Sequence, residues 1–187
     1  MNLRNTTARY GLPAVILHWL MLLLLVAVYA CMELSDNFPK GSDMRAALKT
    51  WHYMLGLTVF VLVWIRLAVK LTGETPAIEP PPPVWQQRLS QLVQLALYAL
   101  MIGLPLAGWF LLSAKGQVIP FFGLQLPALI AENRNAAGWI KEVHEIGATA
   151  GYFLVGLHAV ASLYHHYFLR DNTLRRMLPG SKSPHHP

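Results

Sequence analysis

The sequence predicts an all-α integral membrane protein built as a four-helix bundle. Its 187 residues are 55% hydrophobic and only 13% charged, and its mean hydropathy is +0.39, which is too apolar for an ordinary soluble domain. Apolar runs of about 20 residues, the length that crosses the hydrocarbon core of a bilayer, recur along the chain. We therefore expect a single membrane domain over 1–187, with transmembrane helices at about 12–32, 51–71, 89–112 and 139–168 and a tail at 169–187.

The four predicted helices differ in their flanks and lengths. Arg4 and Arg9 precede the first apolar run, as basic residues do in a signal peptide. That run of about 20 residues exceeds the roughly 7–15 of a signal peptide, so we expect a retained helix. Pro80–Pro83 predict a stiff, extended linker between the second and third helices. The fourth helix would be about 45 Å long against about 30 Å of hydrocarbon, so it should tilt or protrude.

The basic residues predict the orientation in the membrane. An even number of spans places both termini on one side, and that side carries nine Lys and Arg residues against six on the other. The positive-inside rule therefore predicts cytoplasmic termini and a cytoplasmic tail. The net charge of +6 comes from residues beside apolar spans, so we expect a lipid bilayer as partner and no nucleic acid. The single cysteine, Cys31, belongs to no Cys-x-x-Cys pair, which argues against iron–sulfur or zinc chemistry.

Histidines inside the spans are the candidate functional residues, because an ionisable side chain in a bilayer is costly and normally has a function or a partner. His144 and His158 are fourteen residues apart, which leaves them within about 40° of one helix face and about 21 Å apart along the axis. His18 lies in the first span near the side of the membrane that holds the termini, at the depth of His158. His52 opens the second span, at the depth of His144. Depth thus predicts two pairs of histidines.

Each pair suits a haem better than a zinc ion. Zinc takes four ligands, and no Cys, Asp or Glu converges on these histidines. Two imidazoles that face each other match the two axial positions of a haem iron, and helix bundles commonly hold cofactors between facing helices. We therefore predict two bis-His haems, with His18 and His158 on the inner haem iron and His52 and His144 on the outer one. The alternative is a haem-free transporter or scaffold with hydrogen-bonded histidines, which would be colourless.

Several motifs resemble the bacterial di-haem cytochrome b561 family. The matching pieces are Leu17-His18-Trp19, Trp51-His52 with Gly56, Leu104-Pro105 with Gly108, His144-Glu145, Gly151-Tyr152-Phe153, Gly156-Leu157-His158-Ala159, His165-His166-Tyr167-Phe168 and Asp171-Asn172-Thr173-Leu174. The similarity covers almost the whole chain. It implies a multi-pass four-helix bundle in the bacterial inner membrane with two b-type haems, and no Cys-x-x-Cys-His motif indicates covalent attachment. It also implies the same two pairs of haem ligands.

The resemblance implies membrane electron transport by an oxidoreductase. The best-matched activity in the family is that of a superoxide oxidase, which takes electrons from periplasmic superoxide and passes them to ubiquinone. Arg45, Lys49 and Lys141 in the outer loops could attract the superoxide anion. His165, seven residues beyond His158, could bind the quinone and transfer a proton to it.

A second function stays open within the same family. A cytochrome b subunit could pass electrons from a periplasmic dehydrogenase or hydrogenase to quinone, and it would carry the same kind of histidine pairs. We expect no obligate protein partner here, because a docked partner usually needs more surface than two short outer loops provide.

Overall fold

The computed structural model describes residues 4–7 and 9–178, and it is mostly helical over that range. The elements in order are α1 (Leu12–Ser35), α2 (Asp43–Thr72), α3 (Val84–Ala114), β1 (Ile119–Phe121), β2 (Leu124–Leu126) and α4 (Arg134–Tyr164). All four α-helices are long and apolar enough to cross a bilayer. The predicted all-α membrane fold class is therefore confirmed. Of the predicted tail at 169–187, residues 179–187 lie outside the described residues.

The helices extend beyond the apolar spans that the sequence predicts. α2 begins at Asp43, well before 51, because the Ser42 hydroxyl accepts the backbone N–H of Arg45 (3.4 Å). α4 begins at Arg134, before 139, where the Asn133 side chain accepts the N–H of Ala136 (3.0 Å). Such capping starts a helix whatever its hydropathy. Hydropathy therefore locates the bilayer-crossing part of each helix and leaves out its polar ends.

A two-stranded hairpin, which the sequence did not predict, lies between α3 and α4. β1 and β2 pair antiparallel, with Phe121 opposite Leu124. The two turn residues, Phe122 and Gly123, have φ angles of 46° and 87°, as a type I′ turn requires. Asn or Asp normally occupies the first of these positions, so Phe122 gave no recognisable turn signal.

Contacts divide the chain into two compact units. The terminal unit comprises Met1–Leu20, Trp64–Leu97 and Tyr152–Pro187, and the loop unit comprises Met21–Val63 and Tyr98–Gly151. Each unit contains a segment of all four helices. Large apolar side chains remain exposed along these helices, among them Leu23, Leu92 and Phe153. An apolar exterior of this kind suits a lipid environment, where every backbone polar group must be satisfied within the protein.

The loop unit has two buried apolar clusters. Met21, Val59 and Val63 form the first, where α1 packs against α2. Ile119 of the hairpin joins Leu57 and Leu112 in the second. The hairpin is thereby packed against α2 and α3.

The terminal unit is held by polar contacts between its chain segments. The Trp19 indole N–H donates to the Met177 carbonyl (2.7 Å). The backbone N–H of Glu79, in the proline-rich linker, donates to the Asn172 side chain (3.0 Å). The Asn172 backbone N–H in turn donates to the Glu79 carbonyl (3.2 Å). These contacts fasten residues 170–178 to α1 and to the linker.

A close approach between α1 and α4 in the loop unit depends on Gly151. The Tyr29 hydroxyl donates a hydrogen bond to the Ala148 carbonyl (2.8 Å). A Cβ at position 151 would collide with that hydroxyl, whereas the ring atom that bears it is 3.7 Å away. We expect Gly151→Ala to lower the free energy of unfolding by about 1–3 kcal/mol, since overpacking forces side chains out of place.

Removal of the Tyr29 hydroxyl should relieve this collision. Tyr29→Phe should therefore cost less stability in the Gly151→Ala background than in the wild-type protein. Thermal unfolding in detergent of the wild type, the two single variants and the double variant measures the coupling between positions 29 and 151 as a double-mutant cycle. Strictly additive losses would contradict the contact.

Candidate functional site

His52 of α2 and His144 of α4 face each other in the loop unit. Their ring centres are 6.2 Å apart, with an angle of 72° between the ring planes. The Nδ1 atom of His52 lies 3.0 Å from the Val28 carbonyl oxygen. Because a carbonyl only accepts, Nδ1 carries the hydrogen and the Nε2 atom keeps a free lone pair. A hydrogen bond of this kind is what orients a histidine for ligation through its other nitrogen.

α3 supplies a smooth backbone surface beside His144. A Cβ at Gly108 would lie 3.4 Å from the Cε1 atom of His144, so even a methyl group there would be in van der Waals contact with the imidazole. The Nδ1 atom of His144 is buried and makes no hydrogen bond of standard geometry with the residues that the structure describes. The Leu104 backbone lies close enough to interact with the His144 ring.

His18 of α1 and His158 of α4 form the second pair, in the terminal unit. Their ring centres are 6.1 Å apart and their planes are inclined at 63°. The Nη2 atom of Arg66 lies 2.9 Å from the Nδ1 atom of His18. A guanidinium has only donors, so here Nδ1 accepts and the neutral ring carries its hydrogen on Nε2. Ligation through Nε2 would move that hydrogen to Nδ1, and Arg66 would then need another acceptor.

The spacing of both pairs fits one metal ion between two imidazoles. With a metal–nitrogen distance of about 2.0 Å, two imidazoles on opposite sides of a metal have their ring centres roughly 6 Å apart. Within residues 4–7 and 9–178, no group of three or more His, Cys, Asp or Glu side chains could hold a metal. A zinc ion would lack ligands at either pair, because zinc takes four. A b-type haem would need only two nitrogen ligands from the protein.

His165 begins a π-helical turn, His165–Leu169, that continues α4. The predicted fourth helix at about 139–168 is therefore α-helical only as far as Tyr164. Arg170 follows with a φ of 55° and reverses the chain. Its backbone N–H bonds to the His165 carbonyl, as does that of Asp171. The reversal brings the Asp171 side chain back to His165, six residues earlier.

Asp171 is the functional candidate to which the sequence analysis gave no role. Its Oδ2 atom lies 2.5 Å from the Nδ1 atom of His165, and the side chain is 3% exposed. Burial raises the pKa of Asp171, but hydrogen bonds from His165 and Thr173 outweigh it and hold the pKa below its ordinary value. An Asp directly after a helix end, with Thr two residues later, is typical of a turn in which a carboxylate accepts local N–H groups. That signal was present in the sequence.

The three basic residues predicted in the outer loops lie on helices instead, Arg45 and Lys49 on α2 and Lys141 on α4. Two of the three have acidic partners. Arg45 pairs with Asp36 (2.7 Å), and Lys141 pairs with Glu145 (2.9 Å). Lys49 is half-buried on α2. A paired charge attracts a distant anion less strongly than an isolated one, because the partner's opposite charge partly cancels its field.

Comparisons with known proteins identify the family of the chain. A family model described as prokaryotic cytochrome b561 matches residues 9–180. Cytochrome b561 homolog 1 of Escherichia coli is 40% identical over 93% of this chain and 99% of its own length. The probable superoxide oxidase CybB of Yersinia pestis is 34% identical over 93% and 98%, and cytochrome b561 homolog 2 of E. coli is 25% identical over 98% of both.

The family match, together with four bilayer-spanning helices, indicates a bacterial inner-membrane protein that transfers electrons and binds b-type haem. The chain belongs to the prokaryotic cytochrome b561 family.

Proposed function

We propose that this protein is a di-haem cytochrome that oxidises superoxide in the periplasm and reduces ubiquinone in the membrane. The observation that carries the proposal is the pair of facing histidines in each unit, with ring centres 6.1 and 6.2 Å apart. When bound, each haem would supply a one-electron carrier. Two such sites suit the transfer of single electrons from one membrane face to the other.

The four histidines would hold the two haems from both sides. His52 and His144 are the proposed ligands of the outer haem iron, and His18 and His158 those of the inner one. If each pair of histidines holds a haem, the haem would supply one-electron transfer rather than oxygen binding, since both of its protein ligands would be imidazoles. The termini are proposed to be cytoplasmic, as the excess of basic residues on that side predicts.

Superoxide is proposed as the electron donor because a relative with 34% identity is named a probable superoxide oxidase. In the proposed orientation Arg45, Lys49 and Lys141 belong to the periplasmic side. The acidic partners of Arg45 and Lys141 reduce their attraction for the anion, so Lys49 becomes the strongest candidate among the three. We expect neither an obligate protein partner nor nucleic acid.

His165 is proposed to act at the ubiquinone site. Its Nδ1 atom is occupied by Asp171, so Nε2 is the nitrogen that remains for a quinone oxygen. The side chain is 20% exposed, so the ring is partly accessible from outside the protein. Imidazole both donates a hydrogen bond and transfers a proton near neutral pH.

Stopped-flow absorbance of the purified protein tests the proposal. A superoxide pulse should reduce the haems, and a short-chain ubiquinone mixed in second should reoxidise them. His165→Ala should leave the first step unchanged and slow the second by about 100-fold, the lower end of what general acid–base catalysis contributes. His166→Ala, one residue along the same turn, is the matched control and should reoxidise normally.

Each other outcome of this experiment contradicts a part of the proposal. A red protein that does not react with superoxide would instead favour a subunit that receives electrons from a partner dehydrogenase. A colourless protein would remove the haem assignment. Equal slowing by His165→Ala and His166→Ala would remove the specific role of His165.

A further inference from the structure

We propose that Asp171 is the positioning residue for His165, and that the two side chains form a proton-delivery dyad for quinone reduction. The inference rests on the proposed function and extends it to a residue that lies beyond the last membrane helix. Asp171 would fix the hydrogen of His165 on Nδ1, direct Nε2 to the quinone, and stabilise the ring when it is protonated.

The geometry restricts both partners to one arrangement. The Oδ2 atom of Asp171 accepts from His165 Nδ1 (2.5 Å), while Oδ1 accepts from the Thr173 backbone N–H (2.8 Å). With both carboxylate oxygens engaged, the group cannot rotate away from the imidazole. The ring is therefore held with Nδ1 toward Asp171 and Nε2 on the opposite edge.

The charges around Asp171 favour its ionised form. The side chain is 3% exposed, and a buried carboxylate is costly unless it is paired and hydrogen-bonded. Arg176 is close enough for the two charges to interact, and its guanidinium also donates to the Pro76 carbonyl. These contacts therefore favour a carboxylate that accepts the hydrogen bond from His165.

Attachment of the C-terminal segment does not by itself explain this buried pair. The segment is already fastened by Asn172, which bonds to Glu79 and Ala77 of the linker, and by Met177, whose carbonyl accepts from Trp19. A buried ion pair is weak evidence for stability, since the desolvation penalty can exceed the attraction. A role in transferring protons from His165 to a bound ubiquinone would explain why the pair is buried there.

Reduction of ubiquinone to ubiquinol takes two electrons, supplied by two superoxide anions that are each oxidised to O₂, and two protons. Each proton moves from Nε2 of the protonated His165 to a quinone oxygen, which leaves the neutral imidazole with its hydrogen on Nδ1. The ring then takes up the next proton from solvent at Nε2.

The test uses the haem-loaded full-length protein, reduced beforehand with limiting dithionite so that superoxide is not needed. On mixing with short-chain ubiquinone, Asp171→Asn should reoxidise about 10- to 100-fold more slowly at saturating quinone, with a much smaller change in the half-saturating concentration. In this variant an NH₂ group, which cannot accept, replaces one of the two carboxylate oxygens, so either His165 or Thr173 loses its acceptor. The solvent deuterium isotope effect of Asp171→Asn should rise, because proton transfer becomes the slow step. Asp171→Glu should recover part of the reoxidation rate.

Asn172→Ala is the control for a merely structural role. It loosens the same segment at Glu79 and Ala77 without touching the dyad, so its rate and isotope effect should match the wild type. A direct readout is the proton signal of His165 Nδ1–H in ¹⁵N-histidine-labelled reduced protein. It should lie far downfield in the wild type and in Asn172→Ala, and move in Asp171→Asn.

The outcomes separate the dyad from the function on which it rests. Wild-type protein that quinone cannot reoxidise would overturn the proposed acceptor, whatever the state of Asp171. Wild-type protein that reoxidises, with Asp171→Asn equally fast and with the same isotope effect, would overturn the dyad alone. Asn172→Ala as slow as Asp171→Asn would also overturn it, since both would then act through the segment.

Discussion

His144→Ala should reduce the haem content from about two to about one per chain and abolish reduction by superoxide. An iron bound between His52 and His144 would lose one of its two protein ligands. The remaining histidine cannot compensate, because its Nδ1 atom is committed to the Val28 carbonyl (3.0 Å). The haem-to-protein ratio of the purified variant, measured as the pyridine complex of the extracted haem, gives this result directly.

The control for this variant is a histidine outside the two pairs. His166 lies in the π-helical turn His165–Leu169, and its replacement with alanine should retain both haems. Full haem content in His144→Ala would contradict the assignment of the outer pair. Loss of both haems with a folded protein would show that the two sites do not fill independently.

His158→Ala should separate the two halves of the reaction. The inner pair loses a ligand, whereas His52 and His144 in the loop unit are untouched. Superoxide should still reduce the remaining haem, but quinol formation should fall to the rate of a mixture without protein. Stopped-flow absorbance and quinol formation, recorded on the same sample, measure the two steps.

The difference between the two variants tests the direction of electron transfer. His144→Ala should block both steps, and His158→Ala only the second. If His158→Ala instead blocked reduction by superoxide while His144→Ala allowed it, superoxide would react at the terminal unit, and the proposed orientation of donor and acceptor would be reversed.

The sequence was sufficient to predict the fold class and the pairing of histidines, because both depend on the regular α-helix. A helix converts the fourteen-residue step from His144 to His158 into one face and two depths. The structure brings each into contact range of the partner expected from depth, His52 and His18 respectively. Their role as haem ligands remains a proposal.

Features that depend on irregular backbone could not be predicted in the same way. The His165–Asp171 contact requires a π-helical turn and a left-handed Arg170, and neither has a strong signal in residue type. The hairpin requires a positive φ at Phe122, a conformation that bulky residues rarely adopt. The contact between Arg66 and His18 depends on how a long side chain folds back across the terminal unit, which hydropathy does not report.

The central claim is that two b-type haems are held by two histidine pairs, and the most direct test is the haem count of the unmodified protein combined with its low-temperature electron paramagnetic resonance spectrum. We expect about two haems per chain, both with the low-spin ferric signals of iron with two imidazole ligands. A single haem per chain, or a high-spin signal from an iron with an open axial position, would contradict it.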